Sequence, residues 1–351
     1  MNITNVSENN KTEVLNTIIH SKTLLSRAEI SRKLNLNKAT VSRIINELIA
    51  ENIVYEFKKG DSTIKGGKKP LLIDVNNKNI LIGLSVRKYK YEYIFTNIRG
   101  DRLISDNYTP DQTLSFNENL KKFFKFITKK YSDFTPLAGS LVVPGIVDSN
   151  QGTILYSGEF DLTNFNISST IKKYFHFPFF LENDANASAI AFKIFENSSL
   201  NNFIFLLLRV DTKKKILYTG AGIVLNKTLI KGDNNFAGEF ILFDTSANNT
   251  IILKNNQWYL KNTFEEELLK KLSHVIFFLN TSAIIINNSD EFNFDSLIKK
   301  LNNEISRLKR IYTGFDTDII IAKTDRIHLK GSIALLIDKI TANQIPVSQK
   351  K

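Results

Sequence analysis

The sequence contains no cysteine, four histidines, one methionine and one tryptophan among its 351 residues. Without cysteine the chain cannot form disulfides, thiolate zinc sites, thiol nucleophiles or iron-sulfur clusters. The histidines, at His20, His176, His274 and His328, are too far apart along the chain to suggest a local metal-binding motif. We therefore expect neither a metal nor a cofactor.

Long apolar runs are also absent from the sequence. The longest candidates, residues 203–208 and 284–286, have the length of a strand, whereas a transmembrane helix needs about 20 apolar residues. Residues 1–10 lack the basic start and the apolar middle of a secretory signal. The sequence therefore predicts a cytoplasmic protein with no contact to the membrane.

The charge of the chain is strongly positive. It has 47 Lys and Arg against 35 Asp and Glu, a net charge of +12. An excess of this size is compatible with a polyanionic partner. Because Lys and Asn are abundant along the whole chain, the location of the charge is more informative than its amount.

Three helical patterns follow one another in the first fifty residues. Apolar residues at three- and four-residue spacing predict a first helix from Thr12 onward. Ser26, followed three residues later by Glu29, has the spacing of a capping box at the start of a second helix. A third helix is predicted from about Lys38. The tight polar turn at 35–37 is typical of a helix-turn-helix.

Two strand-like runs come next, at residues 53–57 and 71–75. They are separated by a loop, residues 58–70, that is rich in Gly and Lys. Two strands joined by a flexible basic loop form a wing. We therefore predict a winged helix-turn-helix DNA-binding domain at residues 1–77.

In a helix-turn-helix the second helix of the motif lies in the major groove of DNA. Here Arg43 can bond to guanine or a phosphate and Asn46 can pair with adenine, while wing lysines can follow the DNA backbone or enter the minor groove. The predicted DNA contacts are Lys38, Ala39, Thr40, Ser42, Arg43 and Asn46 on the helix and Lys58, Lys59, Lys65, Lys68 and Lys69 on the wing. The alternative is an ordinary three-helix unit with a solvated loop.

Strands and helices alternate from residue 78 onward, which predicts a layered α/β domain. The Asn-rich segments 197–202, 248–256 and 287–293 are expected to be loops, and the last helix is expected at 331–340.

Five segments resemble the ROK family in order and spacing. This family groups bacterial sugar-responsive repressors with sugar kinases, and the sequence looks most like its branch of xylose-operon and N-acetylglucosamine repressors. The segments are residues 67–70 (GKKP), 142–148 (VVPGIVD), 182–187 (ENDANA), 220–225 (GAGIVL) and 237–239 (AGE). The resemblance implies a two-lobed, actin-like and ribonuclease H-like effector domain at residues 78–345, with a sugar in the cleft between the lobes.

The resemblance also implies the residues of the ligand site. In the family's kinases the aspartate matching Asp184 activates the sugar hydroxyl, and the glutamate matching Glu239 contacts the sugar. Asn183 and Asp184 stand where a strand ends and a helix starts, which is where ligands collect in α/β folds. The alternative is that they only cap the helix. Together with Gly145 and Lys261 these residues make up the predicted ligand site.

Departures from the family pattern argue against phosphotransfer. Residues 84–89 (LSVRKY) lack the carboxylate and the glycines with which the family's kinases approach ATP. Residues 211–215 replace a second phosphate loop, and Asn287 and Asn288 replace paired glycines. A protein that cannot hold Mg-ATP cannot position the γ-phosphoryl group. We therefore expect no catalytic residues.

Two further departures concern the ligand. Leu242 replaces the histidine of the family's zinc site, and Lys261 replaces a sugar-binding glutamate. These changes predict weak binding of a neutral sugar. The hypothesis is an anionic effector, such as a sugar phosphate paired with Lys261; the alternative is a pocket that binds nothing.

The sequence as a whole predicts a repressor that binds double-stranded operator DNA as a homodimer or homotetramer. Its affinity for the operator would depend on a sugar or sugar phosphate. One alternative is a sugar kinase that carries a DNA-binding arm, which requires ATP binding. The other is a ligand-independent DNA-binding protein, for which no metabolite changes operator affinity.

Overall fold

The computed structural model describes residues 3–59, 70–197, 199–211, 214–239, 250–287, 292–322, 324 and 326–345. A small helical unit at the N-terminus is followed by two larger sheets flanked by helices. The elements of the N-terminal unit are α1 (Ile3–Ile19), β1 (Leu25–Ser26), α2 (Arg27–Leu34), α3 (Lys38–Ala50), β2 (Val54–Lys59) and β3 (Leu71–Val75).

Local signals define the ends of these helices. Ser26 accepts a hydrogen bond from the backbone N–H of Glu29, and the Glu29 carboxylate accepts one from the backbone of Ser26, so the predicted capping box is confirmed. Asn35 ends α2 in the left-handed conformation, with φ 51°. Asn37 caps α3 by accepting a hydrogen bond from the N–H of Ala39. The apolar faces of the three helices are buried in one core.

The strands of the N-terminal unit pair antiparallel in the order β1-β3-β2. β2 and β3 confirm the two predicted runs, whereas β1 was not predicted because two residues are too few to show a pattern. Lys58 and Lys59 belong to β2 and not to the loop. Residues 60–69, between β2 and β3, lie outside the described residues.

The first sheet has the strand order β11-β7-β4-β5-β6 within the described residues. β8, β9 and β10 form a separate small antiparallel sheet. In chain order, the elements of this region are β4 (Asn79–Arg87), β5 (Lys90–Thr96), β6 (Arg102–Tyr108), α4 (Phe116–Lys130), β7 (Thr135–Val143), β8 (Ile146–Asp148), β9 (Thr153–Ser157), β10 (Leu162–Asn166), α5 (Ser168–Tyr174) and β11 (Phe179–Asn183). β4, β7 and β11 run parallel, which brings the ends of β4 and β11 to the same edge. Aromatic side chains of α4, such as Phe123 and Phe124, fill the core on one face.

The second sheet has the order β14-β13-β12-β17-β19 within the described residues, and β15, β16 and β18 form a smaller one. After α6 (Asp184–Ala191) and a π-helical turn (Phe192–Glu196), the elements are β12 (Phe203–Asp211), β13 (Ile216–Leu225), β14 (Thr228–Ile230), β15 (Ile251–Lys254), β16 (Gln257–Leu260), α7 (Asn262–Leu279), β17 (Ala283–Asn287), β18 (Phe292–Asn293), α8 (Asp295–Ile311), β19 (Asp318–Ala322) and α9 (Ile327–Thr341). Apolar faces of α7 and α8 cover this sheet.

The structure corrects three sequence expectations in this region. The segment 248–256 is not a loop throughout, because β15 runs through it and Asn255 and Asn256, with φ 47° and 59°, make the two-residue turn into β16. Asparagine suits such turns because it tolerates positive φ. β18 likewise enters the segment 287–293, and α9 begins at Ile327, before the predicted start of the last helix.

Helices α6 and α9 connect the two sheets. α9 packs on the first sheet, α6 packs on the second, and the two helices pack against each other. A Cβ atom at Gly331 would lie 2.5 Å from the carbonyl oxygen of Ala187, so glycine permits this close approach. α9 also reaches the N-terminal unit, where Asn16 Nδ2 donates to the Thr341 carbonyl oxygen at 3.0 Å and the apolar cores join. α9 is therefore in direct contact with α1.

Candidate functional site

The outer face of α3 carries the side chains predicted to contact DNA. Lys38, Ala39, Arg43 and Asn46 are exposed, and Thr40 and Ser42 are partly exposed. The opposite face of the helix is buried and holds it on the N-terminal unit through Val41, Ile44, Ile45 and Leu48. The structure therefore presents all six predicted residues of α3 on one accessible side.

Arg27, which the sequence reasoning missed, braces this face from the start of α2. Its Nη2 donates to Asn46 Oδ1 at 2.8 Å and its Nη1 to the Ser42 carbonyl oxygen at 3.2 Å. Its Nε donates to the Glu56 carboxylate at 2.6 Å. Arg43 pairs with Glu47 one turn along α3. No local pattern in the sequence indicates the contacts of Arg27, since they join α2, α3 and β2.

The wing lysines are only partly described. Lys58 and Lys59 have a described backbone at the end of β2, but their side chains lie outside the described residues. Lys65, Lys68 and Lys69 lie outside them entirely. Their role in DNA contact stays a prediction.

A second polar cluster forms where β11 meets α6. Asn183 is the last residue of β11, and its Oδ1 accepts a hydrogen bond from the backbone N–H of Asn186 at 2.7 Å. Asn183 therefore caps the N-terminus of α6. Both Asn183 and Asp184 are buried, with only 5% of each residue exposed.

Asp184 lies between two arginines. Arg87 Nη2, at the end of β4, is 3.4 Å from Asp184 Oδ2, and Arg209 Nε, in β12, is 3.2 Å from the same oxygen. Glu159 pairs with both arginines, with Oε2 at 3.6 Å from Arg87 Nη1 and 2.9 Å from Arg209 Nη1. The cluster joins the two sheets, because Arg87 belongs to the first and Arg209 to the second.

Sequence reasoning missed both arginines and Glu159 as functional residues. Arg87 lies within 84–89, a segment considered only for the glycines that it lacks. In the structure this segment ends β4 and enters a two-residue turn, Lys88 and Tyr89, in which Arg87 pairs with Lys90. A signal was present, since an arginine stands where the family's kinases approach phosphate, but its contact with Asp184 requires the tertiary fold.

Glu239 is influenced by the same cluster. Burial and the nearby Asp184 carboxylate raise the pKa of Glu239 to about 7, although Arg209 acts in the opposite direction. At neutral pH this carboxyl therefore exists in both protonation states, so it can donate a hydrogen bond as well as accept one.

A second set of polar contacts, next to Asn183, involves Lys231, Ser149 and Glu182. Lys231, which follows β14, donates to Ser149 Oγ at 2.8 Å and forms an ion pair with the Glu182 carboxylate. Glu182 is buried and also accepts from Asn186 Nδ2 at 3.1 Å. Sequence reasoning quoted Glu182 within a motif but gave it no role, and Lys231 was missed.

The remaining two predicted ligand residues have different positions. Gly145 has φ 121°, and a Cβ atom there would lie 2.2 Å from the carbonyl oxygen of Tyr156, so its glycine is required by the turn between β7 and β8. Lys261 precedes α7, and its side chain has no hydrogen bond or ion pair with the described residues. The structure does not bring Lys261 into contact with Asp184 or Glu239.

A cavity of about 240 Å³ opens beside the arginine cluster. Its lining has four cationic side chains and two carboxylates, namely Arg87, Lys88, Arg209, Lys214, Glu159 and Asp211. The guanidinium of Arg209 also lies 5.7 Å from the ring centroid of Tyr218, which restrains it further. Among the described residues no group of His, Asp and Glu is arranged to hold a metal ion. None of the described helices is long and apolar enough to span a bilayer.

Comparisons with known sequences give consistent matches. The model of the ROK family matches residues 82–241. The chain is 30% identical to the xylose repressor of Staphylococcus xylosus over 98% of both chains. It is 26% identical to the N-acetylglucosamine repressor of Escherichia coli O6:H1, over 61% of this chain and 52% of that protein.

Solved structures share the fold. A ROK family transcriptional regulator, described as a homologue of the E. coli MLC protein, superposes with a TM-score of 0.70 at 16% identity, covering 96% of this chain and 97% of the other. A ROK hexokinase from Thermus thermophilus gives a TM-score of 0.52 at 14% identity, covering 74% of this chain and 99% of the other. These likenesses establish the α/β, actin-like fold of this chain.

Proposed function

Because the chain belongs to the ROK family, we propose that it is a sugar-responsive transcriptional repressor. Residues 1–77 are its winged helix-turn-helix DNA-binding domain, and residues 78–345 are its effector domain. The observation that carries the proposal is the exposed polar face of α3, backed by a fully buried apolar face. The similarity to the xylose repressor of S. xylosus over nearly the whole chain supports it.

The DNA contacts divide into two kinds. Arg43 and Asn46 read base edges in the major groove, with Lys38, Ala39, Thr40 and Ser42 beside them. The wing lysines Lys58, Lys59, Lys65, Lys68 and Lys69 bind phosphates, which fix the register of the protein without selecting a sequence. Arg27 orients Asn46 through the 2.8 Å hydrogen bond to its side chain.

The effector site lies in the cleft at Asn183, Asp184 and Glu239. A carboxylate and an amide side by side suit adjacent sugar hydroxyls, because one accepts two hydrogen bonds and the other both donates and accepts. Arg87 and Arg209 balance the carboxylates of Asp184 and Glu159, and at the neighbouring cavity Lys88 and Lys214 outnumber the carboxylate of Asp211. An anionic ligand such as a sugar phosphate therefore suits this cleft better than a neutral sugar. Lys261 would contribute a further cation.

The same arginines argue against sugar phosphorylation. A catalytic aspartate must reach the sugar hydroxyl to accept its proton, whereas Asp184 is only 5% exposed and its Oδ2 lies 3.4 Å from Arg87 Nη2 and 3.2 Å from Arg209 Nε. The turn at Lys88 and Tyr89 also offers side chains where a kinase needs glycine backbone close to phosphate. The protein is thus a binding protein and not an enzyme. ATP turnover with a sugar acceptor would contradict this assignment.

The repressor acts in the cytoplasm as a homodimer, or as a homotetramer built from such dimers. An exposed apolar patch on α7 and after α8 supports self-association: Phe278 is 86% exposed, Ile311 55%, and Phe277 and Tyr312 47% each. A symmetric dimer would place two α3 helices about one helical turn of DNA apart, roughly 34 Å. Rotation of the lobes around a ligand would then change operator affinity.

The proposal is tested with genomic DNA fragments selected by the purified protein. Fluorescence anisotropy should detect salt-dependent binding to selected fragments that exceeds binding to random DNA. Titration of free and phosphorylated sugars should then change the affinity for the selected fragment. If no fragment is selected, the repressor function is wrong. If fragments bind but no sugar changes their affinity or releases heat in calorimetry, the protein is a ligand-independent DNA-binding protein.

A further inference from the structure

A second cavity, of about 800 Å³, lies between the edge of the first sheet and α9. Its walls come from β5, β6, the π-helical turn and α9. It shares none of its described lining residues with the smaller cavity at Arg209. Its volume falls in the range of pockets that bind metabolites, about 300 to 1,000 Å³.

The floor of this cavity is apolar with one unsatisfied polar group. Ile94, Leu329 and Ile333 are buried there, and Phe195 stands at the margin, 39% exposed. Thr96 is fully buried at the floor, and its Oγ1 has no hydrogen-bond partner among the described residues. Buried hydroxyls normally have a partner, so this one remains unexplained by the protein alone.

The rim of the cavity is positively charged. Arg102, Arg326 and Lys330 line it together with one carboxylate, Glu196, so three cations face one anion. Arg102 and Lys330 are exposed and form no ion pair within the part of the chain that the structure describes. Glu196 accepts a hydrogen bond from Thr324 Oγ1 at 3.0 Å, on the α9 side of the cavity.

The cavity is linked to the effector cleft through Glu92. Arg326 Nε lies 3.4 Å from Glu92 Oε1, and His328 Nε2 lies 3.0 Å from Glu92 Oε2. Arg87 and Asp184 both act electrostatically on His328, so the network continues to the arginine cluster. α9, which begins directly after Arg326 and carries Lys330, also contacts α1 of the N-terminal unit.

We propose that this second cavity binds a small organic phosphate, with its phosphate at Arg102, Arg326 and Lys330 and its body over the apolar floor. A phosphate monoester carries a charge of about −1.5 to −2 at neutral pH, which matches Arg102 and Lys330, the two rim cations with no ion pair among the described residues. Arginine suits this ligand because its guanidinium donates to two phosphate oxygens at once. A duplex backbone would use the rim cations but not the buried floor, so DNA is the less suitable occupant.

Isothermal titration calorimetry on the full-length protein tests the proposal. The probes are glucose 6-phosphate, ribose 5-phosphate, AMP and inorganic phosphate. The variant Arg102→Ala/Lys330→Ala removes two exposed rim cations, and the control Lys121→Ala/Lys125→Ala removes two exposed lysines from α4. We expect at least one organic phosphate to bind the wild-type protein and the control equally, and the rim variant at least tenfold more weakly.

Four results would overturn the proposal. The first is that no organic phosphate binds, the second that the rim variant and the wild type bind with equal affinity, and the third that both double variants lose the same affinity. The fourth is that inorganic phosphate binds as tightly as the organic phosphates, because the apolar floor would then contribute nothing to binding. A rim variant that loses affinity for random DNA but not for organic phosphates would identify a nucleic-acid contact instead. Operator binding without ligand is measured separately, so failure here leaves the repressor function intact.

Discussion

Replacing Glu239 with glutamine should stabilise the protein, and increasingly so as the pH rises. Burial and the neighbouring Asp184 raise the pKa of Glu239 from 4.5 to about 7. Between these two values the unfolded chain has lost the proton while the folded protein retains it. The folded state therefore binds more protons, and the free energy of unfolding decreases as the pH rises through this range.

The size of the effect follows from the difference of about 2.5 between the two pKa values. At about 1.36 kcal/mol for each pKa unit, ionised Glu239 lowers the stability of the folded protein by about 3 kcal/mol above pH 7. Glutamine has nearly the same shape but cannot ionise, so Glu239→Gln avoids this loss. From pH 5 to pH 8 the advantage of the variant should grow by about 2 kcal/mol.

Urea unfolding of the wild type and the variant at pH 5, 6, 7 and 8 measures this advantage. Glu92→Gln provides a control of opposite sign. Burial raises the pKa of Glu92, but hydrogen bonds from His328 and Lys90 outweigh it and hold the pKa at about 2. That carboxylate stabilises the protein above pH 4.5, so its replacement should destabilise it at pH 7. A Glu239→Gln advantage that is constant or shrinks with rising pH would refute the reasoning.

Three further predictions concern DNA binding and packing. Arg43→Ala should weaken binding to a selected fragment about tenfold or more but hardly change binding to random DNA, whereas Lys68→Ala should weaken binding to both DNAs and reduce the salt dependence of the affinity. If gel shifts show that Arg43→Ala loses the same affinity for both DNAs, base readout by Arg43 is excluded. Arg27→Ala should reduce discrimination between bases at the base pair read by Asn46, because Arg27 orients the Asn46 side chain. Fluorescence anisotropy on single-base variants of the selected fragment measures this discrimination. An unchanged base preference would show that Arg27 does not orient Asn46 for base readout. Gly331→Ala should lower the free energy of unfolding by about 1 to 3 kcal/mol, because the added methyl group would lie 2.5 Å from the Ala187 carbonyl oxygen. The control is Lys330→Ala, on the exposed side of the same helix. Equal melting temperatures for the two variants would contradict the packing argument.

The arginine cluster explains how one fold can lose catalysis and keep its cleft. Arg87 and Arg209 reach Asp184 from different sheets and hold it as an ion pair. A sugar hydroxyl would have to compete with both guanidinium groups for Asp184 Oδ2. The bridge from Lys231 to Glu182 and Ser149 joins the same two sides, so a ligand that enters must compete with contacts that the protein already makes.

The sequence by itself determined the N-terminal unit in some detail. The capping box at Ser26 and Glu29 and the apolar stripe of α3 act between residues three or four positions apart, so their spacing is sufficient to predict them. The polar side of α3 followed directly from that stripe. Runs of apolar residues also predicted most strands of the two large sheets, whereas β6 in the first sheet and β14 in the second were not recognised.

Only the tertiary structure decided which charges meet. Arg87, Glu159, Asp184 and Arg209 come from four separate segments, and nothing in their local sequences indicates that the two sheets bring them within ion-pair distance. The same holds for Arg27 beside Asn46 and for the rim of the second cavity, which combines β6 with the start of α9. Local periodicity defines an element and its buried face, but the meeting of side chains from distant elements depends on how the elements pack.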